Sequence, residues 1–331
     1  MAAQSQANIG GLVDLRELAP GSLHSLLEEE IAVWRRDLRW DFNSSAALVR
    51  KFADEQTLGG HALISGRDVL GYAYTVAENG KGLVGDLFVR EQFQSVEAEN
   101  RLLAACVDSL AKMRGVTRIE AQILLLEHPR RMPAAYDAHL MLHERQFMHC
   151  SLQPWPAWPS GPSARRLDLD TWHDRYQEDA ARMLADAYDG HVDSQINDQY
   201  RSANGARQFL TNIVEYPGCG RFDEGASWLA WSRDTGRLVG ACLASRVADD
   251  VGHITQVCVA PGMRGRGVGY ELMIHSMRSM AETGCTHCSL TVTSANQGAI
   301  ALYRRMGFAL RRRFAAMVWD GFNTTKRGFF F

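Results

Sequence analysis

Apolar and polar positions repeat along the chain in two matching series. Runs at 61–64 and 69–76 are short, β-rich and joined by Ser65-Gly66-Arg67-Asp68, which reads as a hairpin. Runs at 228–231 and 238–245 are joined by Arg233-Asp234-Thr235-Gly236, the same device. A third strand follows at 83–89 in one series and at 253–259 in the other. A helical pattern comes next, from about 97 to 114 and from about 267 to 283. In the second helix Leu272, Met273, Ser276, Met277 and Met280 recur at three- and four-residue steps, the spacing of one buried face. Each helix leads to one more strand, at 118–125 and at 289–292. The offset is about 170 residues throughout, which marks a duplication of one domain of roughly 150 residues. Consecutive strands before a strand–helix–strand crossover define an α/β class with a mixed sheet.

Between Gln153 and Ser163 the composition changes. Four of the nine prolines, Pro154, Pro156, Pro159 and Pro162, fall here with Trp155 and Trp158. Proline fixes φ and removes a donor, so the segment is neither helix nor central strand. It reads as a semi-rigid linker, pinned to a domain surface by its tryptophans. The expected division is 1–152, a linker at 153–163, and 164–331.

Composition removes several function classes. The 36 Lys plus Arg offset 38 Asp plus Glu, leaving a net charge of −2, with no footprint for nucleic acid. No apolar run approaches the ~18 residues of a membrane span. The stretch 1–11 has neither a basic cluster nor an apolar core, so it does not read as a secretory signal. Seven scattered cysteines are no disulfide framework. Cys285 and Cys288 form a C-x-x-C without the second pair a structural zinc needs, and no metal site is expected. These features point to a cytoplasmic protein.

The strongest chemical signal lies where strand meets helix in the second series, Val257-Cys258-Val259-Ala260-Pro261-Gly262-Met263-Arg264-Gly265-Arg266-Gly267-Val268-Gly269. Glycines without Cβ atoms let backbone N–H groups converge on an anion, and the helix that begins here adds its N-terminal partial charge. A pyrophosphate suits such a turn. A Walker A loop would need Gly-Lys-Ser/Thr at its end, and a Rossmann turn would need G-x-G-x-x-G with a carboxylate about 20 positions on. Neither is present.

The spacing Arg264-x-x-Gly267-x-Gly269 after an apolar strand resembles the acyl-coenzyme A motif of the GNAT superfamily of N-acyltransferases. A second motif, Asn296-x-x-Ala299-x-x-Leu302-Tyr303 followed by Gly307-Phe308, is also similar to that family. Ser294 and Gln297 form a capping-box signature before this helix. The resemblance implies two tandem GNAT-type domains, each a mixed, mostly antiparallel sheet flanked by helices. It is architectural over most of the chain and motif-specific over about 250–310.

What the resemblance implies for the site is specific. Acetyl-coenzyme A, or another acyl-coenzyme A, would be the co-substrate. Val257, Cys258 and Val259 would hold its pantetheine arm. Arg264, Gly265, Arg266, Gly267, Val268, Gly269 and Tyr270 would hold the pyrophosphate, and Asn296 would contact the coenzyme. Tyr303 would donate a proton to the departing thiolate, a task suited to a phenol that is not ionised at neutral pH. His253 stands where relatives carry a basic glutamate and would accept the amine's proton. The N–H of Val259 would meet the acyl oxygen.

The polar stretch 187–201 falls where the family's acceptor segment lies. Its Asp189, Asp193, Asn197 and Tyr200 are candidates for a small-molecule or peptide amine. In the first series Ser95, Glu97 and Glu99 stand opposite Gly265, Gly267 and Gly269, and 132–136 lacks the tyrosine motif. The first domain is therefore expected to be degenerate, and the tandem copies would replace a dimer, leaving a monomer. The resulting expectation is direct N-acetyl transfer in the second domain. The alternatives are a non-catalytic acyl-coenzyme A sensor and a nucleotide-dependent oxidoreductase.

Overall fold

The repeat seen in the sequence is matched strand for strand in the computed structural model, which describes residues 10–126, 138–154, 158–159, 161, 164–216 and 218–321. Trp155 and the segment 132–136 lie outside the described residues. In chain order the first series forms β1 (Gly11–Asp14), α1 (His24–Val33), α2 (Asn43–Asp54), β2 (Gly59–Ser65), β3 (Asp68–Glu78), β4 (Lys81–Val89), α3 (Val96–Lys112), β5 (Arg118–Gln122) and β6 (Leu140–Ser151). The second forms β7 (Leu167–Thr171), α4 (Gln177–Tyr188), α5 (Asp193–Ile196), α6 (Ala203–Glu215), β8 (Arg221–Phe222), β9 (Trp228–Ser232), β10 (Leu238–Ala248), β11 (Val251–Val259), α7 (Val268–Glu282), β12 (His287–Thr293), α8 (Gln297–Arg305) and β13 (Ala309–Asp320). No helix among the described residues is long and apolar enough to cross a membrane.

The chain divides into two compact units that are not the contiguous halves 1–152 and 164–331. Unit 1 comprises 1–36, 42–144 and 314–331; unit 2 comprises 37–41 and 145–313. The sheet of unit 1 runs β1-β2-β3-β4-β5 and is completed by the last part of β13, whose Ala316–Asp320 register against Gln122–Arg118. The sheet of unit 2 runs β12-β11-β10-β9-β7 and is completed by the last part of β6, which registers Arg145–Ser151 against Thr293–His287. The last part of the strand that ends each series thus belongs to the other unit. Sequence periodicity cannot reveal this, because it fixes which face a strand buries and not which neighbour it pairs with.

Both units keep the same irregularities. β4 and β5 run parallel for four register pairs, Lys81↔Arg118 to Val84↔Ala121, and β11 and β12 do so from Val251↔His287 to Ile254↔Leu290. A bulge interrupts the antiparallel partner at the same point, leaving Gly85 extra in β4 and Thr255 extra in β11. A bulge bends its strand and ends regular pairing, so each parallel pair opens beyond it. In unit 2 the opened strand carries Val257, Cys258 and Val259.

The helix after each opened strand packs on the sheet, α7 through the face its periodicity foretold. Leu272, Met273, Ser276, Met277 and Met280 of α7 are all buried, as are Leu102, Leu103, Val107 and Leu110 of α3. Burying each large side chain contributes roughly 1.5–3 kcal/mol. Trp319 and Met317 of β13 join the core of unit 1.

Unit 1 also buries an acid pair. Glu30 of α1 and Asp86 of β4 share a hydrogen bond, which requires a proton between them. The Tyr72 hydroxyl donates to Glu30 Oε2 at 2.9 Å, and the Leu87 N–H donates to Asp86 Oδ1 at 2.8 Å. Burial raises both carboxyls, Asp86 to about 6 and Glu30 well above the usual carboxylate range.

Candidate active site

Beyond the bulge in β11 the chain turns through Ala260 into a 3-10 turn (Pro261–Met263) and then into α7. Gly265 and Gly267 take φ of +71° and +88°, left-handed conformations that L side chains rarely adopt. Gly267 is the N-cap of α7 and no side chain caps the helix. The N–H groups of Val268, Gly269 and Tyr270 have no intrahelical acceptor, so the helix start is open to an anion.

The first copy closes the same place. Ser95 Oγ, opposite Gly265, accepts from the Ala98 N–H at 3.2 Å and caps α3. Glu99, opposite Gly269, is buried and accepts from Gln94 Nε2 at 3.0 Å.

A cavity of about 1320 Å³ opens in unit 2 along β11, the glycine turn and α8. Its walls include Val257, Cys258, Val259, every residue from Arg264 to Tyr270, Asn296 and Tyr303. It exceeds the size usual for a drug-sized ligand and suits a long one. Val257 and Val259 pack toward the α7 core, whereas Cys258 faces the α4–α6 side with its Sγ 3.9 Å from Met183 Sδ. Burial pushes the Cys258 thiol up to about 12, which removes it as a nucleophile. The Ala260 N–H donates to Val239 O, so alternation along the strand turns the Val259 N–H to the opened edge.

Tyr303 lies on α8 with its ring against Phe308 (centroids 5.9 Å apart). Burial raises its phenol above the usual value, and the charge of Asp193 adds to the shift, so the hydroxyl keeps its proton. Asn296, not Ser294, is the N-cap of α8: its side chain accepts from the Ala299 N–H at 3.2 Å. The Asn296 N–H is turned back onto Thr293 O, which moves the cap two residues beyond the expected capping box, while Gln297 Nε2 donates to Ser294 O. Arg264 reaches past the turn and donates to Ala187 O at the end of α4.

His253 is placed differently from its expected role. It is not among the cavity walls and is only 4% exposed, lying between Trp40 and Phe147 with ring centroids at 5.0 and 6.2 Å. Its Nδ1 is 2.9 Å from Ser289 Oγ, and burial pushes its pKa down to about 3. A ring that stays neutral that far down is a weak proton acceptor.

The acceptor candidates separate into distinct environments. Asp189 is exposed just after α4. Asp193 accepts from Thr293 Oγ1 at 2.5 Å, and its Oδ2 is 3.9 Å from His191 Nδ1. Asn197 caps the 3-10 turn (Asp198–Arg201) by accepting from the Gln199 N–H at 3.0 Å. Tyr200 stacks on Tyr188 at 4.3 Å and donates to Gln256 Oε1 at 3.2 Å. Tyr188 and His191 line the cavity, as does Trp158, and sequence reasoning assigned none of them a role there. His191 Nδ1 accepts from the Asp193 N–H at 3.1 Å, and its Nε2 lies 3.4 Å from Asn296 Nδ2.

The two units, with opened parallel pairs and a glycine turn feeding one open helix, define an α/β protein of the GCN5-related acetyltransferase fold. The same fold appears in a GCN5-related N-acetyltransferase from Sphaerobacter thermophilus (TM-score 0.64, 17% identity, 93% of this chain and 95% of that one). It appears again in a tandem GNAT protein from the clavulanic acid biosynthesis pathway (TM-score 0.54, 18% identity, 80% and 83%). Residues 193–308 match the acetyltransferase (GNAT) family. Among curated relatives, the N-alpha-acetyltransferase MAK3 of Arabidopsis thaliana is 39% identical over 62 residues (19% of this chain, 33% of that protein). The streptothricin acetyltransferase of Streptomyces lavendulae is 50% identical over 56 residues (17% and 30%). A mycothiol acetyltransferase of Mycobacteroides abscessus is 34% identical over 91 residues (27% and 31%). In each case the matched stretch covers about a third of the relative's own length.

Proposed function

We infer that unit 2 moves an acetyl group from the thioester of coenzyme A to a small-molecule or peptide amine by direct transfer. The observation that carries this is the uncapped start of α7, with two left-handed glycines, on the same cavity as a protonated Tyr303. The residues present fit a diphosphate: a Cβ at Gly265 would meet no atom within 4 Å, so the turn leaves room beside its N–H groups. Coenzyme A, when bound, supplies the activated acyl group.

The chain's own residues divide the remaining work. Val257–Val259 present an opened strand edge to the pantetheine arm. The Val259 N–H faces that edge and is assigned the acyl oxygen as it gains negative charge. The Tyr303 hydroxyl holds the proton that the leaving sulfur takes. Asp193, fixed by Thr293, is assigned the ammonium group of the acceptor, which releases one proton to water to become the neutral nucleophile and a second, on forming the amide, that restores the Tyr303 hydroxyl. His253 keeps a packing role. Unit 1, with Ser95 and Glu99 closing its helix start, binds no coenzyme.

The test is a calorimetric titration with acetyl-coenzyme A and with NADP, followed by thiol release across a panel of amines. Binding of the first alone, with amine-dependent release, is expected. Binding of NADP instead, or coenzyme bound at a stoichiometry of two, would overturn the assignment.

A further inference from the structure

The Pro/Trp linker does more than join two repeats. Trp158 is half-buried against the α7 core and forms part of the cavity wall. The segment around it is fastened to the first turn of α7 at two adjacent residues. The Tyr270 hydroxyl donates to Pro159 O at 3.0 Å, and the Gly161 N–H donates to Glu271 Oε1, a carboxylate only 1% exposed. Pro159, next to the indole, fixes its own φ and so limits the backbone beside Trp158.

Fastening the segment ahead of the first strand is a property of the repeat. In unit 1 the residue opposite Glu271 is Arg101, which donates to Gly10 O at 2.8 Å. What the second copy adds is an aromatic ring, because residues 1–9 contain none.

The order of the cavity walls matters. Val257–Val259 and Tyr303 line the part where thioester and pantetheine would lie, and the glycine turn takes the diphosphate. Trp158 stands on the strap clasped by Tyr270 and Glu271, which directly follow the turn along the helix. A chain held as pantetheine and then diphosphate ends in its nucleoside. We propose that Trp158 is a stacking platform for the adenine of coenzyme A, so that the linker is part of the coenzyme site. The proposal rests on the coenzyme reading above. A purine stacked on indole uses the large π-face of each ring and needs no base-edge hydrogen bonds.

The test compares two probes, coenzyme A and 4′-phosphopantetheine, which lacks the nucleoside, by calorimetry on the full chain. Trp158→Ala is expected to weaken coenzyme A roughly 10- to 100-fold, in line with base–aromatic stacking elsewhere, and to leave phosphopantetheine unchanged. Trp158→Phe, which keeps a ring in the same wall, is expected to restore most of the affinity. Equal loss for both probes would make Trp158 a packing residue and overturn the proposal, as would unchanged affinity for coenzyme A. If the wild-type chain bound neither probe, the coenzyme reading itself would fall, a result distinct from either of these.

Discussion

Gln94 Nε2 donates to Glu99 Oε1 at 3.0 Å, and this pair stands in unit 1 where unit 2 keeps open backbone around Gly269. A carboxylate at ~5 Å from a phosphate charge costs roughly 3 kcal/mol at an effective dielectric of ~20. Gly269→Glu in unit 2 is therefore expected to weaken coenzyme A at least about 100-fold by calorimetry. A Cβ there meets Val259 Cγ2 at 3.5 Å and Leu302 Cδ2 at 4.0 Å, both ordinary contacts, so melting should change little. Gly267→Ala is expected to lower stability by about 1–2 kcal/mol through its positive φ. Undiminished binding by Gly269→Glu would mean that the diphosphate lies elsewhere.

Tyr303→Phe removes one hydroxyl and keeps the ring packed on Phe308. We expect turnover to fall about 10²- to 10⁴-fold, with the coenzyme dissociation constant unchanged. Steady-state kinetics beside calorimetry separates the two. A variant that turns over at the wild-type rate would remove the proton-donor role and leave a coenzyme-binding module.

His253 supplies a test of opposite kind. Its folded pKa, pushed down to about 3, lies below the ordinary 6.5, so the unfolded chain binds the extra proton first. The stability this site contributes is full above pH 6.5 and is lost as pH falls toward 3. His253→Gln should flatten that part of the stability profile measured by urea unfolding. The same variant should leave the shape of the kcat/KM pH profile intact. Disappearance of a limb of that profile would return His253 to the role of base.

The Glu30–Asp86 pair carries the reverse sign. Raised carboxyls bind protons in the folded state that the unfolded chain releases, so their contribution is full below the ordinary carboxylate range. It is lost as pH rises through about 6. Asp86→Asn, which needs no shared proton, is expected to make the unfolding midpoint of unit 1 less sensitive between pH 5 and 8, followed through the Trp34 signal. An unchanged slope would show that the two carboxyls do not share a proton.

Much of this architecture is legible in the residues. The helical face of α7, the hairpins and the two strand–helix–strand crossovers follow from periods of 3.6 and 2 that burial enforces locally. Glycine spacing marks the turn at 265–269, because close backbone approach needs residues without a Cβ; Val257–Val259, Asn296 and Tyr303, which line the same cavity, follow from the resemblance of the two motifs to the GNAT family. His253 departs from the role the resemblance implies because tertiary packing sets it between Trp40 and Phe147, off the cavity walls. The cap at Asn296 was missed by two residues because Ser294 also satisfies the local rule. Trp158 was legible as an anchor, but its neighbour across space, α7, lies more than a hundred residues away in sequence.

The exchange of final strands makes the two repeats mutually dependent. Trp319 and Met317, both inside the core of unit 1, are synthesised after nearly all of unit 2. The amino-terminal repeat therefore has no finished sheet while it leaves the ribosome; it matures only when the last strand arrives. Cutting the tether at 153–163 would yield two incomplete pieces rather than two enzymes' worth of parts, and the ancestral single copy cannot be recovered by simple excision.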